Sequence, residues 1–428
     1  MRNLRTARLL LPVLLALPAL SSAGDGPSRW DRLDHFLQRQ TTATGYTGAV
    51  AVVEHRGIPT YAAHTGHQDI GRTVPMQPDS IFRIYSMTKP VVSVAALLLL
   101  EEGRLSLDDP LARYLPAFAG TVYLRREDNG RTRPVPATQP ITLRHLFTHT
   151  SGFAADSDRH PEATVALEQA GIAAAADLSS VADRLSQLPL ADPPGTHFHY
   201  DSSNTLLLGR VVEVVSGQSL ADFLSERIFV PLGMVDTGFE VPAAQRHRVV
   251  DLPTGAPGAL RLADTASARQ PGARLNAYDN AAGGLYSTAA DYLAFARMLL
   301  GRGPAGQPPL LSRKTRELMM ADQLGGAFAA PISGFSRGEG FGLGGYVVTD
   351  VAARGRLGSV GQFGWSGAAS TYFTVDPAED LIAIVLLQYV GDDGEPRLPS
   401  VATPFYNLVY QALDTLPHSG PEGRKSGP

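Results

Sequence analysis

Ile84-Tyr85-Ser86-Met87-Thr88-Lys89-Pro90 runs directly into an apolar stretch, Val91 to Leu100. Ser86 and Lys89 are three residues apart, close to one helical turn, so on a helix they share a face. Leu97 to Leu100 offer no polar side, which predicts a buried helix. Gly103 is the expected C-terminal stop. A buried lysine tends to lose its proton because desolvation penalises the ammonium. A neutral amine beside a hydroxyl can take the hydroxyl's proton and make the serine a nucleophile. The plainer alternative is a serine that merely occupies the first helical turn beside a solvated lysine. Ser-x-x-Lys is too short a pattern to decide between the two.

The chain has room for the remaining parts of a site. Its 428 residues suffice for one large domain or two interlocked ones, and 44% hydrophobic against 18% charged residues is a composition with ample core. The formal net charge of −4 suggests no basic face for nucleic acid. With no cysteine there is no disulfide framework, thiol nucleophile or thiolate metal site.

The first residues read as a secretory signal. Arg2, Arg5 and Arg8 precede a short apolar run, Leu9 to Leu20, broken by Pro12 and Pro18. Ser21-Ser22-Ala23 places small residues for cleavage after Ala23. The run is short for a bilayer span, so a periplasmic or secreted protein with no membrane span in its mature form is expected.

Trp30 to Gln40 has the spacing of an amphipathic helix. Gly48 to Glu54 and Pro59 to His64 are strand-like around a turn at Arg56-Gly57, which predicts a hairpin. From about Leu107 to Asn280 the pattern is helical, at Leu143 to Thr148, Ser179 to Leu188, Thr205 to Val215 and Leu220 to Ile228. Ala289 to Leu300 is another helix. Strand candidates follow at Gly342 to Asp350, Ala369 to Val375 and Leu381 to Gln388, then a closing helix over Thr403 to Leu413. These elements predict an α+β fold: one antiparallel sheet of about five strands, built from both ends of the chain and flanked by helices, with a mostly helical domain inserted. The expected division is a signal at 1–23 and a catalytic unit at 24–416. Within that unit a sheet part covers 28–105 and 281–416, and a helical part covers 106–280. A Gly/Pro-rich tail is expected at 417–428.

Three further stretches carry chemistry. Tyr200 lies in His197-Phe198-His199-Tyr200-Asp201-Ser202, on a loop before a helix, where a phenol can reach a cleft and relay protons. The alternative is a half-buried tyrosine satisfied locally. Gly361 to Ala368 is Gly-rich around Trp365, either a packed turn or an edge whose backbone N–H faces an oxyanion. His145 and His149 have i, i+4 spacing but lack the glutamate of a zinc-protease helix, and Gly152 soon ends the helical pattern, so no metal is expected. There is no Gly-x-Ser-x-Gly elbow and no phosphate-binding glycine motif.

Together these residues resemble the serine β-lactamase and penicillin-binding-protein superfamily, within it the class C-like branch closest to family VIII carboxylesterases. The likeness spans about Trp30 to Leu413. It includes Leu105-Ser-Leu-Asp-Asp-Pro110, Leu146-Phe-Thr-His-Thr-Ser-Gly152, Pro194-Gly-Thr-x-Phe-x-Tyr200, Pro231-Leu-Gly-Met234 and Gly284-Leu-Tyr-Ser-Thr-Ala-Ala-Asp291. The resemblance implies a β-lactamase/transpeptidase-like fold, Ser86 as acyl-accepting nucleophile, Lys89 as its proton partner and Tyr200 as general base and acid. It implies an oxyanion hole from the backbone N–H groups of Ser86 and Ala368. Ser202 stands where the family's Tyr-x-Asn motif has Asn, and Trp365-Ser366-Gly367 stands where β-lactamases have Lys-Thr-Gly. Trp365 in place of that lysine offers an apolar wall instead of a partner for a substrate carboxylate. The resemblance therefore implies a cofactor-independent esterase for short-chain, small-molecule esters. The alternatives are a β-lactamase or D-alanyl-D-alanine carboxypeptidase using the same site, with weak β-lactam hydrolysis a possible side activity, and a catalytically silent binding module.

Overall fold

A computed structural model describes residues 28–128, 130–154, 160–304, 307–325, 337–392 and 394–413. The expected signal at 1–23 and tail at 417–428 lie outside the described residues.

The elements that place the site are, in chain order, α1 (Asp31–Gln40), β1 (Gly48–His55), β2 (Ile58–Gly66), α2 (Thr88–Glu101), α3 (Leu143–Phe147), α4 (Ser202–Ser216), α5 (Ala289–Leu299), β3 (Glu339–Phe341), β4 (Tyr346–Val348), β5 (Phe363–Gly367), β6 (Thr371–Asp376), β7 (Leu381–Leu387) and α6 (Ala402–Leu413). The seven strands form one antiparallel sheet in the order β2-β1-β7-β6-β5-β4-β3. β1 and β2 join at Arg56-Gly57, both with positive φ (53° and 76°), the backbone of a tight hairpin turn whose twist matches its strands. β1 then pairs with β7 from Ala49 opposite Leu387 to His55 opposite Leu381. The sheet is thus closed by strands from opposite parts of the sequence.

The expected antiparallel sheet flanked by helices is present, with seven strands instead of about five. The run at Gly342 to Asp350 contracts to β4. β3 is too short, at three residues, to show a period. β5 holds two glycines in five residues, which weakens any strand signal. Its pairing comes from its neighbours, Phe363 opposite Val375 and Gly367 opposite Thr371. A two-stranded ribbon, Val122–Arg126 with Thr132–Pro136, also interrupts the mostly helical middle region.

β1 and β7 are buried along their whole length, which explains their near-continuous apolar sequences. Alternation sends Val50, Val52, Ile382, Ile384 and Leu386 to one face, into the large core with α2, α4 and α5. It sends Ala49, Ala51, Val53, Leu381, Ala383, Val385 and Leu387 to the other, under α1 and α6. α2 is buried from Thr88 to Leu99 and packs on α4. Each large apolar side chain on it contributes about 1.5–3 kcal/mol by leaving water. That burial makes α2 a rigid mount for whatever stands at its N-terminus.

Candidate active site

Ser86 does not lie within α2 itself. It occupies a single 3₁₀ turn, Tyr85–Met87, that leads into the helix. Tyr85 holds a φ of +42°, a conformation rarely adopted by a bulky residue, and such strain persists where the surroundings over-determine it. The surroundings here are specific. Phe82 and Arg83 pair with Ser287 and Tyr286. Ile84 N–H donates to Leu285 O (3.1 Å). The Gln388 side-chain amide meets both backbone polar groups of Arg83, at 2.8 and 3.2 Å. Leu285 N–H donates to Thr88 Oγ1 (3.2 Å), and the Tyr292 hydroxyl donates to Met87 O (2.8 Å).

Lys89, one turn on, is 2% exposed. Its Nζ lies 3.1 Å from Ser86 Oγ and 2.7 Å from Ala282 O. Ala282 is itself oriented by its N–H, donated to Asn280 Oδ1 (3.0 Å). The expected juxtaposition of serine and lysine is therefore present, with the lysine buried and held from two sides.

Tyr200 reaches this pair from the loop before α4. Lys89 Nζ lies 4.9 Å from the centroid of the Tyr200 ring. The indole Nε1–H of Trp365, in the middle of β5, donates to Tyr200 Oη (3.2 Å), and the two rings are 5.1 Å apart. Trp365 is only 8% exposed and packs edge-on against Phe341 of β3 at 5.2 Å. Most of its area is thus spent on the protein's own aromatic cluster, so the apolar wall expected from sequence is narrower than a tryptophan's size suggests. Its polar edge is the more direct contact with the site.

At the end of β5, Gly367 lies against Ile84, just before the turn that carries Ser86. A Cβ there would stand 2.3 Å from Ile84 O and 2.3 Å from Thr371 Oγ1, so only glycine fits. Ser366 and Ala368 are exposed, and Ser370 N–H closes the turn onto Gly367 O (3.1 Å). Ser202 opens α4 and is exposed; no hydrogen bond or ring contact among the described residues joins it to Ser86, Lys89 or Tyr200. Asp201, beside it, caps the helix by accepting from Ser203 N–H (2.7 Å).

His149 belongs to this cluster, although its sequence suggested only a rejected metal pair. It is 1% exposed, and its ring lies 4.8 Å from Tyr200 and 5.4 Å from Phe341. Burial, reinforced by the charge on Lys89, pushes its imidazole down to about 3. His145 faces elsewhere, its Nδ1 accepting Thr142 N–H (3.2 Å) in the cap of α3. Among the described residues no group of three His, Asp or Glu side chains could hold a metal ion.

A strained turn that presents a serine at the head of a buried helix, one turn from a buried lysine and near a tyrosine from a second element, is an arrangement in which an amine can take a hydroxyl's proton. Comparison with known proteins gives the family. The Beta-lactamase family model matches residues 33–402, and the chain belongs to this family. Protein Rv1367c of Mycobacterium tuberculosis is 35% identical over 393 residues, covering 86% of this chain and 95% of that one. Esterase EstB of Burkholderia gladioli is 31% identical over 416 residues, covering 91% and 96%. Among solved structures, unliganded simvastatin synthase (LovD) of Aspergillus terreus superposes with a TM-score of 0.75 at 24% identity, covering 92% of this chain and 100% of that one. No helix among the described residues is long and apolar enough to cross a membrane.

Proposed function

We propose that this protein is a serine carboxylesterase that cleaves small, short-chain esters through an acyl-Ser86 intermediate. The observation that carries the reading is the 3.1 Å contact between Ser86 Oγ and buried Lys89 Nζ, with Tyr200 stacked beside the amine. Ser86 Oγ attacks the ester carbonyl while Lys89 and Tyr200 accept its proton between them. The backbone N–H groups of Ser86 and Ala368 receive the oxyanion, a contribution of about 2.7–4 kcal/mol for one such donor. Lys89 and Tyr200 then return the proton to the leaving alcohol, and water releases the acid from Ser86. The chain supplies every group in this scheme.

The esterase named among the relatives supports ester over amide substrates. So does Trp365, whose indole N–H is committed to Tyr200 and which stands in the sequence at the position where the resemblance to β-lactamases would put a lysine. Secretion or export to the periplasm after cleavage at Ala23, and the division into a sheet part and a helical part, belong to the same proposal. The test is the mature protein with p-nitrophenyl esters of graded acyl length, beside a chromogenic cephalosporin. Wild type should turn over the short esters and take a fluorophosphonate label on Ser86. Ser86→Ala should keep the fold and lose both. An adduct on another residue, or full turnover by the variant, refutes the assignment.

A further inference from the structure

Tyr200 is 38% exposed, and the hydrogen bond at its hydroxyl comes from Trp365. What holds its backbone is a different residue. Asp201 N–H donates to His149 Nδ1 (3.2 Å), and His199 N–H donates to His149 O (2.9 Å). The residues on either side of Tyr200 are thus both tied to His149, one through its side chain and one through its main chain. The imidazole ring also packs on the phenol, tilted by 41°.

His149 takes this position at a cost. Its φ is +54°, a left-handed conformation that histidine adopts less readily than glycine. It is a buried polar ring among Phe198, Phe341 and Tyr200, where a leucine would bury more cheaply. Nδ1 accepts a backbone N–H, so in the neutral ring the proton sits on Nε2. An apolar side chain offers no such acceptor.

We infer that His149 is a positioning residue of the acyl-transfer site, setting the Tyr200 phenol against Lys89 through its paired hydrogen bonds to residues 199 and 201. The inference rests on the proposed role of Tyr200. It assigns His149 no contact with substrate: its effect on turnover passes through Tyr200.

Two substitutions separate this role from simple packing. His149→Phe keeps a ring and removes the acceptor. His149→Asn tolerates the left-handed backbone and offers a side-chain oxygen near the Nδ1 position. With a short-chain p-nitrophenyl ester, His149→Phe should lower kcat by about 10²-fold, the scale of misplaced acid–base catalysis, with little change in KM. His149→Asn should recover at least about 10-fold of that loss. In a Tyr200→Phe background either substitution should cost no more than about 2-fold, because residues acting as a unit are not additive. Equal losses in the folded Phe and Asn variants, or the full loss repeated without the Tyr200 hydroxyl, would overturn the inference. If His149→Phe does not fold, ¹⁵N resonances of the wild-type imidazole decide: Nδ1 must be the unprotonated nitrogen, and a proton found there overturns it. Tyr200→Phe alone is the control for the underlying reading. If it retains full activity, the proposed mechanism fails; if it loses activity while His149→Phe does not, only the positioning role fails.

Discussion

His149 should make the protein acid-sensitive in a way that one substitution removes. Its imidazole is neutral when folded down to about pH 3, whereas an unfolded histidine takes a proton near 6.5. Above pH 6.5 the ring is neutral in both states and its contribution is complete. As pH falls below 6.5 the unfolded chain binds the proton first, so stability drops until the folded ring also titrates near 3. A separation of about 3.5 pH units at roughly 1.4 kcal/mol each sets a ceiling of about 5 kcal/mol. That is comparable with the whole stability of many domains. Asp291 works in the opposite direction. Burial pushes its carboxyl up to about 6, so the folded state gains a proton between about 6 and 3.8 and is stabilised by acid over that range. The raw pH profile therefore mixes the two with other shifted groups, among them His145, held down by burial, and Glu213, pushed up by it. The difference between wild type and His149→Asn cancels Asp291 and isolates the imidazole. Urea unfolding at intervals from pH 8 to pH 4 should show that difference shifting against wild type by up to about 1.4 kcal/mol per pH unit below 6.5. Parallel profiles for the two proteins would refute the reasoning.

Other outcomes follow from the same geometry. Lys89→Ala and Tyr200→Phe should each lower kcat at least about 10²-fold, while the double variant falls far short of the product of the two; fully multiplicative losses would assign them separate roles. Trp365→Phe keeps the ring against Phe341 but removes the N–H from Tyr200 Oη, so kcat for neutral esters should fall about 10-fold with the melting temperature nearly unchanged. Trp365→Lys should lower the ratio of ester to cephalosporin kcat/KM, and an unchanged ratio with a lowered melting temperature would leave Trp365 a packing residue. Gly367→Ala should lower both ester turnover and stability, the latter by about 1–3 kcal/mol, because its methyl group would meet Ile84 O at 2.3 Å. A variant as active and as stable as wild type would show that the β5 end does not rest on the backbone leading into the Ser86 turn.

The parts of the site that could be read from sequence are those set by local spacing. Ser86 and Lys89 are three residues apart, the one on a short turn that leads into the apolar helix and the other in its first turn, and both the burial of Lys89 and its contact with Ser86 follow from that pattern. The hairpin at Arg56-Gly57 was equally local. Tyr200 stands out only as a tyrosine on a loop before a helix, and it took the family resemblance to choose between a proton relay and a locally satisfied phenol, since its loop has no periodicity. β5 escaped notice because two glycines mask a strand whose pairing is dictated by β4 and β6. The link between His149 and Asp201 spans 52 residues and depends on how α3 and α4 are brought together. A histidine in a helical pair looks the same in sequence whether it ligates a metal or clamps a distant loop. Trp365 was legible as a residue type, but which edge of the indole would meet the site depended on Phe341, a residue of a three-residue strand.

The Gln388 amide that grips both backbone groups of Arg83 crosses 305 residues of sequence. Gln388 directly follows β7, and β7 takes its place between β6 and β1, the latter more than 300 residues away in sequence. Contacts this distant in sequence close late, because the loop entropy between the partners must be overcome before they reward each other. A nascent chain on the ribosome can therefore contain Ser86, Lys89 and the whole of α2 while the strained turn at Tyr85 still lacks its anchor. Ser86 is among the first residues of the site to be synthesised and among the last to be set in place, so under the proposed function the onset of turnover is tied to the docking of the seventh strand.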